Sequence, residues 1–130
     1  MKKYLLVSIF SLLAFVSVSA SNAEEESFFP SHCSNYGSTV SLSFTNCINS
    51  NFRRLTFDLP REFFSYCNNF GDDLSFSFES CVNNNFNKVE RSLGLFLSHC
   101  MNFGDGVSFS YQSCINSNFR EIQYELRRQE

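Results

Sequence analysis

The sequence contains three gapless copies of one pattern, each with two cysteines 14 residues apart. The copies run from Cys33 to Leu55, from Cys67 to Val89 and from Cys100 to Ile122, and their starts are 34 and 33 residues apart. Nine of the 23 aligned positions hold the same residue in all three copies. A period of this length is typical of repeat proteins, in which each unit buries its apolar face against its neighbours. We therefore expect three similar units that share one core.

The six cysteines are interpreted as three disulfides, each within one repeat. If each copy forms its own disulfide, this one arrangement accounts for the separation of 14 residues in all three copies. Bonds between neighbouring repeats would leave cysteines at the two ends of the array without an equivalent partner. Six cysteines allow 15 pairings, and pairing within repeats is the preferred one. A closed loop of about 15 residues contributes on the order of 3 kcal/mol in the chain-entropy estimate. The predicted bonds are Cys33 to Cys47, Cys67 to Cys81 and Cys100 to Cys114.

Apolar spacing predicts an all-α fold of three tandem disulfide-stapled helical hairpins, each of about 33 residues. After the second cysteine, residues such as Phe78, Val82 and Phe86 recur at intervals of four, as on one face of a helix. The segment before the first cysteine is shorter, and the spacing of Phe64 and Cys67 predicts a short helix there too. The predicted repeats span about 28–57, 60–92 and 95–129.

The stretch between the two limbs of each hairpin leaves two alternatives open. Alternation over 40–44, 74–78 and 107–111 gives an α+β alternative with short strands, although the same residues also fit a helical period. Bonded cysteines need Cα atoms within about 7 Å. An extended stretch before the second helix more easily places the two cysteines of each repeat at the same height along the hairpin. A left-handed turn is expected at Gly37, Gly71 and Gly104. The candidate N-caps of the second helices are Ser43, Ser77 and Ser110.

The first residues predict an exported protein. Lys2 and Lys3 precede an uncharged run of roughly 15 residues, which is typical of a signal peptide over 1–23 and shorter than a membrane-spanning helix. We expect a single repeat domain over 24–130 that is secreted or periplasmic, without a membrane span after cleavage. The absence of Asn-x-Ser/Thr sequons favours a bacterial source. From residue 24 onward eight Lys and Arg face thirteen Asp and Glu, a net charge of −5, so nucleic acid is not an expected partner.

No residue pattern points to catalysis, so we predict no enzyme activity, no cofactor and no metal. Reactive dithiols usually occur as C-x-x-C, which the sequence lacks. His32 and His99 each precede a cysteine, but Tyr66 has the equivalent place in the middle repeat, so a His-Cys metal site would not recur.

Acidic residues follow the Phe-Gly turn of the second and third repeats. Asp72, Asp73 and Asp105 lack the regular spacing of a calcium-binding loop, and Ser38 stands at the equivalent place in the first repeat. We interpret these side chains as helix caps.

Two asparagines per repeat are the polar residues that the repeat explains least. Their amides either satisfy backbone groups of a neighbouring loop or form a ladder that offers hydrogen bonds to a glycan or peptide. The sequence predicts an exported non-enzymatic binding or structural repeat protein whose partner is an unknown protein or glycan. The alternative is a small secreted effector or inhibitor that acts on a foreign protein. The candidate binding residues are Asn49, Asn51, Asn83, Asn85, Asn116 and Asn118.

Overall fold

The computed structural model describes residues 27–130, and this part of the chain contains three helices and no strand. They are α1 (Leu42–Asp58), α2 (Phe76–Leu93) and α3 (Phe109–Gln129), one in each repeat. The all-α class is confirmed. The strand alternative is wrong, because most of each proposed strand lies in the first turn of a helix. The predicted signal peptide lies outside the described residues, and the division into 1–23 and 24–130 stays a prediction.

The N-cap of each helix lies two residues before the predicted one. The caps are Ser41, Ser75 and Ser108, and in α1 the Ser41 hydroxyl accepts the backbone N–H of Phe44 at 3.3 Å. Asn35 fixes this position, because its side-chain oxygen accepts the N–H of Ser41 at 2.7 Å and its amide donates to the carbonyl of Thr39. The predicted cap Ser43 lies inside the first turn, with its hydroxyl 3.1 Å from that of Ser41.

The limb before each helix is an extended arm, and the short helix predicted there is wrong. Residues 62–70 have no regular secondary structure. Along this arm Phe64 and Cys67 face the interior while Phe63 and Tyr66 are exposed. The apolar spacing that suggested a helix therefore comes from an arm without regular secondary structure that buries one side. Each repeat is still a hairpin, in which an arm folds back along a single long helix.

The three predicted disulfides are confirmed. The bonds Cys33–Cys47, Cys67–Cys81 and Cys100–Cys114 each join an arm to the helix of the same repeat, with Cα atoms 5.6 Å apart in every case. Disulfides that persist within a chain indicate an oxidising environment, such as the periplasm or the cell exterior. Within residues 27–130 no helix combines the length and the apolar character needed to cross a bilayer.

The three helices lie parallel around a common axis, and the third repeat packs back on the first. Phe52, Phe86 and Phe119, which we call the axial phenylalanines, contact one another pairwise with ring centroids 5.0–5.1 Å apart and interplanar angles near 60°. Edge-to-face contacts of this kind stabilise beyond the area that they bury. The layers of equivalent buried residues above and below are Phe44, Phe78 and Tyr111; Ile48, Val82 and Ile115; and Leu55, Val89 and Ile122. The predicted tandem repeats share one core, and contacts between the third and the first repeat close them into a ring.

Candidate functional site

One asparagine of each helix binds the arm of the next repeat. Asn49 in α1 accepts the N–H of Cys67 at 2.8 Å and donates to the carbonyl of the same residue at 2.8 Å. Asn83 in α2 makes the same pair of bonds with Cys100. Asn116 in α3 makes it with Cys33, 83 residues earlier in the chain. This third pair ties the last repeat to the first and closes the ring.

The second asparagine of each helix binds the arm of its own repeat. Asn51, for example, accepts the N–H of Ser31 at 2.8 Å and donates to its carbonyl at 2.8 Å. Asn85 and Asn118 bind the backbone of Ser65 and Ser98 in the same way. Each arm therefore lies between two helices and is held by one amide from each of them.

These contacts support the structural interpretation of the six asparagines. All six are buried, none more than 6 % exposed, and each amide is engaged with backbone groups. An extended arm forms no helix or sheet hydrogen bonds of its own, and buried backbone groups need partners. The asparagines supply those partners, so their amides do not line an exposed face toward a ligand. A surface for binding has to be sought elsewhere.

The turns before the helices contact one another at the end of the bundle where the helices start. The N–H of Val40 donates to the backbone carbonyl of Asp72 at 2.8 Å, and the N–H of Gly106 donates to the carboxylate of Asp73 at 2.8 Å. Gly106 also lies against the carbonyl of Ser38 so closely that a Cβ atom would be 2.4 Å from that oxygen. The three turns therefore form one connected end of the molecule.

Six large apolar side chains project from this end, and we call them the turn surface. Each repeat contributes one residue directly before the turn glycine and one at the first position of the helix. They are between 71 and 83 % exposed. The first-position residues lie two places before the core residues of the top layer, which puts them on the outer side of the helix. The turn surface consists of Tyr36, Leu42, Phe70, Phe76, Phe103 and Phe109.

A second exposed set recurs in the arms. Phe29, Phe63 and Phe96 precede the first cysteine of each repeat by four residues and are 66–96 % exposed. The backbone carbonyls of Phe29 and Phe63 accept hydrogen bonds from Arg54 and Lys88, which lie in the second half of their helices. The arm phenylalanines are therefore distant along the axis from the turn surface, although they match it in chemistry and exposure.

Charge is distributed unevenly along the bundle axis. The three segments that form the turn end, residues 33–44, 67–78 and 100–111, contain three Asp and no Lys, Arg or Glu. The rest of the described chain carries eight Lys and Arg against seven Asp and Glu. The turn surface is therefore apolar and acidic, whereas the rest of the described chain is of mixed charge.

The predicted capping role of the three aspartates is wrong, because serines cap the helices. Asp73 instead binds the N–H of Gly106 and links the second turn to the third. The carboxylates of Asp72 and Asp105 are exposed, and within residues 27–130 neither makes a hydrogen bond or an ion pair. Among the same residues, no three His, Cys, Asp or Glu side chains come together as metal ligands.

Two titratable groups near the turn end have shifted pKa values. Burial raises the pKa of Tyr111, and the negative charge of Glu79 raises it further. Desolvation also raises the pKa of Glu79, against the opposing effect of the Asn102 backbone N–H that it accepts at 3.2 Å. The Tyr111 hydroxyl is buried without a hydrogen-bond partner among the described residues. Phe44 and Phe78 hold the equivalent places, so this hydroxyl breaks the symmetry of the top layer.

The turn surface was not among the predicted binding residues, which were positions identical in all three repeats. All nine identical positions are cysteines, turn and cap residues, clasping asparagines, the axial phenylalanines or the serine beside the cap. The turn-surface positions keep only a type, large and apolar, and lie off the buried helix face. That combination of a kept residue type and a position off the buried face is the sequence signal that could have found the turn surface.

No protein-family model matches the sequence, and comparisons with curated proteins and with solved structures find no match either.

Proposed function

We propose that this chain is an exported, non-enzymatic binding protein whose turn surface docks a partner. The observation that carries the proposal is the retention of six exposed large apolar residues, two in each repeat, at positions that contribute nothing to the core. Single exposed apolar residues are ordinary, but apolar side chains collected at one end of a small molecule are typical of an interaction site. The basic start, the apolar run before residue 24 and the three disulfides support export.

The scaffold suits a binding role. Three disulfides, six backbone-clasping asparagines and the closed core hold the turns in fixed relative positions. A rigid surface loses little conformational freedom when a partner binds, which leaves more of the interaction energy as affinity. Aromatic residues are also the side chains that most often dominate interfaces.

The proposal is tested by two variants with the same change in composition. Phe70→Ser with Phe103→Ser removes two aromatics of the turn surface, while Phe63→Ser with Phe96→Ser removes two arm phenylalanines that are even more exposed. The mature protein and both variants are immobilised and exposed to cell-envelope extract and to a glycan array. We expect the material retained by the wild type to be retained by the arm variant and lost by the turn variant. Retention that is the same for all three proteins would contradict the proposal.

A further inference from the structure

We propose that the partner of the turn surface is a basic polypeptide segment, rich in arginine or lysine. This inference rests on the proposed function and adds the chemistry of the partner to it. It starts from the position of Phe70 beside Asp72 and of Phe103 beside Asp105, in two turns that share one end of the molecule. In each turn an exposed ring and an exposed carboxylate are separated only by a glycine.

This pairing matches the chemistry that recognises a guanidinium or ammonium group. A cation is attracted to the face of an aromatic ring, and a carboxylate accepts charge-assisted hydrogen bonds from the same cation. The fold already contains one such ring contact, since the guanidinium of Arg127 lies 5.5 Å from the ring centre of Phe29. The segments that form the turn end contain three Asp and no Lys or Arg, so they contribute no like charge against an incoming cation.

The positive ends of the helix dipoles reduce the negative charge at the turn end without reversing its sign. Three parallel helices point their N-terminal ends at the turn surface, and each end is equivalent to about half a positive charge. The three aspartates of the turn segments carry more negative charge than these ends compensate. The aspartates also stabilise the helix starts, which is the structural alternative for their presence. Binding and stability therefore have to be measured on the same variants.

The first repeat provides a natural comparison within the molecule. It has the exposed ring of Tyr36 but carries Ser38 where the other repeats have an aspartate. If the ring and the carboxylate act together, the first turn is an incomplete copy of the site. Ser38→Asp should complete it, and a gain of binding cannot result from misfolding.

The test uses a fluorescent peptide of alternating arginine and glycine as the probe, with binding followed by fluorescence anisotropy at physiological ionic strength. Asp72→Asn with Asp105→Asn should weaken binding by about tenfold or more. Glu121→Gln with Glu130→Gln changes the net charge equally, away from the turn end, and should weaken it by less than about twofold. Ser38→Asp should strengthen it, and Ser38→Asn should leave it unchanged. Circular dichroism and the unfolding midpoint confirm that each variant is folded.

Three outcomes would overturn the basic-partner inference. They are absence of peptide binding to the wild type, equal weakening by the aspartate and glutamate pairs, and no gain from Ser38→Asp. The envelope and glycan experiment with the phenylalanine variants then decides whether the proposed function survives. Binding to neutral phosphatidylcholine vesicles or to a glycan that depends on Phe70 and Phe103 would overturn the basic partner and retain the binding surface.

Discussion

The axial phenylalanines and the turn surface are both sets of large apolar residues that recur in every repeat, yet they follow different rules. At the axis the residue is phenylalanine in all three copies and at most 2 % exposed. At the turn surface it is Tyr or Phe in one position and Leu or Phe in the other, always exposed. Three rings that meet across an axis constrain one another's shape, whereas residues facing solvent are constrained only in type. Between these two sets, the buried rings keep their identity in every repeat, and the exposed residues keep only their type.

The largest effect should come from the axis. Phe86→Ala removes one ring from the three mutual contacts and leaves a cavity that the two remaining rings cannot fill. We expect a loss of about 3–5 kcal/mol in the free energy of unfolding. Phe76→Ala, on the turn surface of the same helix, should change it by less than about 0.5 kcal/mol. Denaturant unfolding with the disulfides intact measures both, and similar losses for the two variants would remove the distinction between the sets.

The next largest effect should come from the two hydrogen bonds between Asn116 and Cys33 that close the ring. Asn116→Ala leaves the buried N–H and carbonyl of Cys33 without their partners, and we expect a loss of about 2–3 kcal/mol. Amide hydrogen exchange of Cys33 should accelerate more than that of Cys67, whose clasp from Asn49 is untouched. Exchange that accelerates equally at both cysteines would show that the ring opens as a whole and not at this joint.

The connection between the turns can be tested at a glycine. Gly106 has φ +65°, and a Cβ there would collide with the backbone of Ser38, whereas Gly94 has φ +66° with open space around it. Both Gly106→Ala and Gly94→Ala carry the same cost of a left-handed backbone. Only the first adds a collision, so we expect it to be about 1–2 kcal/mol more destabilising. It should also weaken peptide binding by displacing the first turn, and equal losses would mean that the turns move independently.

More of the scaffold than of the candidate site could be predicted from the sequence. The period and the fixed cysteine spacing were enough for the all-α class and the disulfides, because each copy repeated the same constraint. The short helix before Cys67 was predicted wrongly, since Phe64 and Cys67 bury one side of an extended arm whose backbone is satisfied by Asn49 and Asn85. Such long-range side-chain partners leave no local signal. The capping role predicted for Asp73 was wrong for the same reason, since its partner Gly106 lies 33 residues away.

The smallest effect concerns the one hydroxyl that breaks the symmetry of the top layer. Tyr111→Phe removes a buried group without a partner and restores the residue found in the other two repeats, so we expect a gain of about 1 kcal/mol at neutral pH. Because the pKa of Tyr111 is raised in the folded state, the unfolded chain releases this proton first, above about pH 10, and stability falls as the pH rises further. The variant should lose this part of the alkaline decline, while Tyr36→Phe on the exposed turn should keep it. Urea unfolding at neutral and alkaline pH compares the three proteins, and a destabilised Tyr111→Phe variant would show that the hydroxyl is bonded inside the core.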